Sequence, residues 1–393
     1  MYVTRPLSMY KKDPSALSLP TPEGPNSGYL VIFDEEAQTY CCFGLCKDSK
    51  IGHLPFPQNK NLSIEYTVYA DKVCTNKVML IPVLNKPLSA NRYYVIGRGT
   101  NNVGEAMTSS KKGDWTCAHC GQWRVVNSRP FDPFNVYQQF KMIKSGSRFS
   151  AKSIAPDGFP PAFLSKGWSV TSKTPKHYHL EEASGLNSSL RARLPDFNFP
   201  LSDDHYKPVV VGKWYCPFIF VKEKMEPKEQ MEMSAFYEMT LEQKWEKIFS
   251  KENSETGESS VLVDVIVQKK VARLAGRDAA WDEGEVADGE LWFKSVDGVG
   301  EELSVGLSMA VVERMKWEQE RVPGWGGREK RQERKKREVR IKKVEEFAGG
   351  SDNGWERFGC YVLVETFVLK RMDGSLVLSY DYKHIHQLRC RWE

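Results

Sequence analysis

The chain has 393 residues, enough for two domains or one large domain with appendages. Its 56 Lys and Arg against 51 Asp and Glu leave a formal net charge of +5, too near balance for bulk polyelectrolyte behaviour. With 40% hydrophobic residues and 11 Trp, a large core is available and global disorder is excluded.

Residues 1–27 are rich in Pro, Ser and Lys and read as an irregular N-terminal arm. They lack an apolar stretch of the secretory kind, and no run of about 18 apolar residues follows, so no membrane span is expected. From Gly28 to about residue 130 the texture is a β-rich unit. "GYLVIFD" (28–34), "TYCCFGLC" (39–46), "LSIEYTVYA" (62–70), "VMLIPVL" (78–84) and "RYYVIG" (92–97) are β-branched and aromatic runs separated by Pro, Gly, Asn and Asp. Residues 131–207 form a Pro-rich linking region, with one short helix expected in "FNVYQQFKMI" (134–143).

An α+β unit is expected over 208–393. "PVVVGKWYCPFIFV" (208–221) reads as a strand, with an edge or bulge at Pro217. "TLEQKWEKIF" (240–249) reads as a helix: Thr240 and Gln243 have capping-box spacing, and Leu241, Trp245, Ile248 and Phe249 fall on one helical face. A strand is expected at 261–267 and an acidic loop at 282–290. A second helix is expected at 307–321, capped by Ser308 and stapled by Leu307 against Val312. The run 328–343 holds ten Lys or Arg and three Glu, and reads as a solvated helix or a loop. Two long apolar runs then flank Asp373-Gly374, the signal of a type I′ hairpin, with 361–369 buried on both faces. The fold class is therefore α+β, with mostly antiparallel sheets, few helices and a closing C-terminal β-hairpin.

Candidate chemistry is sparse. Cys117 and Cys120 have the spacing of half a structural zinc site, but tetrahedral zinc takes four ligands. Helpers would have to come from His177, His179 or another Cys. His177/His179 and His384/His386 are His-x-His pairs that would each share a strand face, with Cys390 on the face of the second pair. None of these pairs has a placed carboxylate partner, so satisfied imidazoles and free thiols are the simpler expectation, with no metal or other cofactor. The familiar catalytic templates for acyl transfer, phosphate binding, dinucleotide binding and zinc proteolysis are absent, and nothing nominates an enzyme. Nine cysteines, an odd number without regular spacing, point to free thiols in a reducing compartment; Cys41, Cys42 and Cys46 fall in a strand pattern and read as buried. The basic run from Arg328 to Lys343 offers a surface for nucleic acid, anionic lipid or an import receptor, and "KRQERKKR" resembles a nuclear localisation signal.

Several long phrases occur together: "MYVTRPLSMY", "EGPNSGYLVI", "LPFPQNKNL", "VYQQF" and "GCYVLVETFVLKRMDGSLVLSYDYKHIHQLRCRWE". They resemble a plant-specific family of uncharacterised proteins, domain of unknown function 1262, some members of which carry the label "insecticidal crystal toxin domain". The resemblance runs from Met1 to Glu393. It implies a plant intracellular protein with no assigned activity and no site residues to carry over; the thiols and the basic run make its expected location cytoplasmic or nuclear. The wording around Cys117–Arg129 departs from the family's, which argues against a family-wide zinc site. The expected function is a non-enzymatic interaction protein with an unknown protein partner, associated with stress or defence by resemblance only. The alternative is a metal-dependent enzyme built on the His-x-His strands.

Overall fold

The structure is a computed structural model that describes residues 1–41, 46–68, 72–99, 102–111, 115–118, 121–124, 128–201, 207–253, 259–296, 300, 302–321, 337–348 and 354–393. The α+β class expected from the sequence is what it shows: mostly antiparallel strands, with five α-helices among the described residues.

One body is a closed barrel. Strands Asn61–Thr67, Val73–Pro82, Arg92–Gly97, Gln139–Ser145, Arg148–Ser153 and Trp168–Lys173 pair in a ring, because Val73–Pro82 bonds both Asn61–Thr67 and Arg92–Gly97. Alternation along each strand turns two residues inward. These are Leu62/Ile64, Val78/Leu80, Tyr93/Val95, Phe140/Met142, Phe149/Ala151 and Trp168/Val170, all in one buried cluster with Phe56. The intervening residues Met79, Ile81, Tyr94 and Ile96 face out of the barrel and are buried in a second, larger cluster. That second cluster joins the barrel to the other body.

The other body is a twelve-stranded sheet. Its centre is the long hairpin Arg357–Arg371 and Leu376–Trp392, flanked by Phe236–Glu252. Met79, Ile81, Tyr94 and Ile96 of the barrel meet Trp214, Tyr215, Phe218, Phe220, Phe236 and Met239 here. The 361–369 segment is buried almost throughout, as its two apolar faces require. Tyr2–Pro6 pairs in parallel with Gly28–Ile32 at one edge, so residues 1–27 contribute a strand and a short helix, Leu7–Lys12, and are not wholly irregular. Likewise three barrel strands come from 131–207, where a linker was expected.

Three expected elements are corrected. Residues 240–249 are strand, within Phe236–Glu252. Leu241, Gln243 and Trp245 are buried at period two, and Ile248 is bulged between Lys247 and Phe249. The bulge shifts the parity, so the apolar residues imitate a 3.6 period. In "FNVYQQFKMI" only Val136–Gln138 is a 3₁₀ turn; Gln139–Ser145 is strand. The acidic 282–290 segment spans the end of strand Arg277–Ala287 and its turn into Glu290–Val296. The helix Met309–Gln319 forms as expected, with Ser308 at its N-cap but no side-chain cap bond.

The type I′ geometry expected at Asp373-Gly374 occurs instead at Asp288-Gly289. Asp288 and Gly289 both have positive φ and join Ala287 to Glu290, the two-residue type I′ geometry. At the C-terminal hairpin Gly374 alone is left-handed, at φ +86°, while Asp373 is not. Gly374 N–H donates to Arg371 O and Arg371 N–H to Ser375 O, both at 2.9 Å. This is a type I turn closed by a left-handed glycine, not type I′.

Candidate ligand-binding groove

Where the barrel meets the large sheet, a groove of about 1050 Å³ runs between the strands Asn61–Thr67 and Val73–Pro82 and the helix Pro227–Met233. Its size is at the upper limit of small-molecule sites. One wall carries Arg98, Gly99, Asn102 and Val103. Gly97 makes it possible: a Cβ there would lie 2.4 Å from the Asn102 carbonyl oxygen. Gly104, at φ +83°, then turns against Pro227, where a Cβ would lie 2.7 Å from the ring. The barrel loop and the helix N-terminus are thus fitted to each other through two glycines.

The lining is largely apolar, and its charged groups are mostly cationic. Lys77, Arg98, Lys173 and Lys228 supply four positive charges, against one carboxylate, Glu232. Asn61, Asn76 and Asn102 add amides, and Tyr66 and Phe163 add aromatic faces with ring centroids 6.1 Å apart. Arg98 is positioned: its guanidinium donates to Asn61 Oδ1, and its N–H to Lys77 O at 2.9 Å. Tyr178 supports the same amide, donating to Asn61 Oδ1 and Gln58 O at 3.3 Å. Burial raises the Tyr178 phenol, with Arg98 opposing, so it stays a neutral donor at physiological pH.

The histidines expected from sequence are separated by the fold. His177 lines a side pocket of about 70 Å³ beside the groove, with Arg98, Tyr178 and Glu232. His177 and His179 are both exposed on an irregular extended segment, while Tyr178 and Leu180 turn inward. The second pair is split. Val362 pairs with Leu388 but Leu363 with His384, so residues 385–387 bulge. His384, His386 and Cys390 therefore do not share one regular strand face; His384 is buried and His386 exposed. Cys117 lies in the strand Trp115–Ala118, and Cys120 lies outside the described residues. Among the described residues no group of three or more His, Cys, Asp or Glu is placed to hold a metal. Cys46 is exposed rather than buried. The basic run falls outside the described residues up to 336; its end enters strand Glu338–Glu346, where Arg340 forks onto Asp264 at 2.5 and 2.7 Å.

His384 instead belongs to a buried ionic cluster that sequence reasoning missed. Glu365 Oε2 is 3.0 Å from His384 Nε2 and accepts from Arg191 Nη2 at 2.6 Å; its Oε1 accepts from Arg191 Nε at 2.7 Å and Gln243 Nε2 at 2.9 Å. Arg191 also donates to Glu318 O at 2.8 Å, and Arg314 Nη2 to Glu318 Oε1 at 2.6 Å. Burial would raise the Glu365 carboxyl, but the bonds from His384 and Arg191 hold it down to about 2. A carboxylate so saturated is a fixed charge, not a general base near neutral pH.

Residues 23–120 match the model of a family described as "Protein of unknown function (DUF1262)". The matched segment contains the groove residues from Asn61 to Val103. The chain is also similar to a solved structure titled "Crystal structure of Cry35Ab1", with 12% sequence identity and a TM-score of 0.46 over 86% of this chain and 90% of that one. No curated protein matches it. Among the described residues no helix is long and apolar enough to cross a membrane.

Proposed function

We propose that the protein is a non-enzymatic binding protein whose groove takes a small organic anion, one bearing carboxylate, phosphate or sulfate groups. The observation that carries this reading is the imbalance of the lining: four cations against one carboxylate in a concave site of about 1050 Å³. Converging cations lower the free energy of a bound anion more inside a concavity than on an open surface, where water screens them. The amides and the Tyr66/Phe163 faces supply orientation. The reduced thiols of Cys74, Cys216, Cys360 and Cys390 suit a reducing compartment, cytoplasmic or nuclear, as part of the same reading. A metal-dependent enzyme is not favoured, since His177 and His179 have no third ligand among the described residues.

The test is titration calorimetry with citrate, inorganic phosphate and a heparin-derived disaccharide. At least one should bind saturably, more weakly as salt rises, and about ten-fold more weakly in Arg98→Ala or Lys228→Ala. No saturable binding of any of the three, or binding indifferent to both substitutions, would overturn the reading.

A further inference from the structure

At the open end of the long hairpin, Cys360 and Cys390 are direct cross-strand partners. The ladder's phase fixes how close they come. Arg357 and Glu393 exchange both backbone bonds, Arg357 N–H to Glu393 O at 2.8 Å and Glu393 N–H to Arg357 O at 2.9 Å. Bonded and non-bonded pairs alternate along an antiparallel ladder. Phe358/Trp392 is then non-bonded, Gly359/Arg391 bonded, and Cys360/Cys390 non-bonded. Non-bonded partners have Cα atoms about 4.5 Å apart, at the short end of the separations a disulfide spans.

As direct partners, the two cysteines put their side chains on the same face of the hairpin. Cys360 is fully buried, walled by Phe358, Trp355 and Val261, while Cys390 is partly exposed. Lys343 lies nearby on strand Glu338–Glu346, paired with Glu345. Cys390 and Lys343 hold the Cys360 thiol below its ordinary value against burial and Glu345, while the Cys390 thiol is raised, so it is exposure and not acidity that lets Cys390 meet an oxidant first.

We propose that Cys360 and Cys390 are a redox modification site that closes to a cross-strand disulfide when the protein meets hydrogen peroxide. The exposed Cys390 sulfur attacks one peroxide oxygen, the O–O bond breaks, and Cys390 sulfenic acid and water form. The Cys360 sulfur then attacks the sulfenyl sulfur; the S–S bond forms, the S–O bond breaks, and the oxygen leaves as water with the Cys360 proton. Two thiols lose two electrons and one peroxide becomes two waters. The bond would tie together the strand ends beside the Trp355, Phe358 and Trp392 cluster, where ring centroids lie 4.4 to 5.1 Å apart.

The test uses the full-length protein, reduced and then exposed to a small excess of hydrogen peroxide, alkylated and digested with a Glu-specific protease. Cys360 then lies in peptide 357–365 and Cys390 in peptide 366–393. The expected product is these two peptides joined, lighter than their sum by two hydrogens and separated again by dithiothreitol. In Cys360→Ser, dimedone should trap sulfenic acid at Cys390 about ten-fold more than in the parent. The proposal is overturned if the parent carries Cys390 to sulfinic acid without the linked pair. It is equally overturned if neither thiol reacts at a peroxide dose that oxidises the exposed Cys46. The peptide result on the parent stands even if Cys360→Ser does not fold.

Discussion

Arg191 and Glu365, 174 residues apart in the chain, meet as a bidentate pair at 2.6 and 2.7 Å with each side chain only 1% exposed. The arginine comes from the short helix Ser188–Arg193 and the glutamate from the centre of the large sheet. Removing one partner strands a buried charge, which costs about 3–5 kcal/mol, whereas replacing both with apolar groups costs far less. Arg191→Met should therefore destabilise the protein by that amount in urea titration, and Arg191→Met with Glu365→Leu should recover part of the loss, the remainder reflecting Gln243, His384 and Glu318 left without their partner. A single variant of parent stability would show that the pair is solvated.

The same carboxylate gives a pH dependence. Its folded value is about 2, against an ordinary value of 4.5 in the unfolded chain. The unfolded state therefore takes up the proton first as pH falls. The contribution to stability is complete above about pH 4.5 and is lost as pH drops toward 2. The shift amounts to about 3 kcal/mol in this buried group. Glu365→Gln should flatten the stability curve between pH 4.5 and 2 relative to the parent; parallel curves would assign acid unfolding to other carboxylates.

The strands legible in the sequence were those carried by dense apolar runs, such as "RYYVIG" and "CYVLV", where period and burial agree. Misreadings came where a polar residue sits on the buried face. Gln243 is fully buried, yet only its bond to Glu365, 122 residues away, explains it. With Gln243 taken as polar and Ile248 bulged, Leu241, Trp245 and Phe249 look helical. The groove was not legible because Arg98, Lys173 and Lys228 are brought together only by barrel closure and by the helix of the other body. The Cys360/Cys390 pairing depends on the 385–387 bulge, which residue counting cannot place.

The C-terminal turn tests glycine's conformational role. Gly374 sits at φ +86° with open space around it, so a side chain would meet backbone strain and no clash. Gly374→Val should cost about 1 kcal/mol or more in thermal or chemical unfolding. Gly374→Asn should cost less, because asparagine tolerates the left-handed region. Equal losses for both would locate the cost in side-chain contacts instead.

Gly97 tests how the groove is walled. A methyl group there would come within 2.4 Å of the Asn102 carbonyl oxygen, a backbone atom that cannot swing aside as a side-chain end can. Gly97→Ala should push the wall at Asn102 and Val103 outward, destabilise the protein by about 1–3 kcal/mol, and speed amide exchange in 102–105. It should also weaken any anion that Arg98 binds, since that side chain leaves from the next residue. Unchanged exchange in this segment would mean the wall is held by Gly104 and Pro227 alone.

Trp245 tests the strand assignment of 240–249 directly. On the strand its indole is 3% exposed and packs against Phe197 at 5.3 Å, beneath the Arg389 guanidinium at 4.8 Å, and donates from Nε1 to Pro195 O at 3.1 Å. Those contacts pin the 194–201 segment, including Phe199, over Tyr361 and Leu363 of the central strand. Trp245→Ala should open a cavity and cost about 3–5 kcal/mol, while Trp245→Phe keeps most of the volume and loses about 1 kcal/mol with the Pro195 bond. Period-two burial makes a second demand that no helix would make. Lys244 and Glu246, half-buried beside it, should tolerate alanine within about 0.5 kcal/mol, whereas Gln243→Ala removes a partner of buried Glu365 and should cost about 1–3 kcal/mol. A scan in which the costly positions fell at 241, 245, 248 and 249 but spared 243 would restore the helix and break the sheet at its centre.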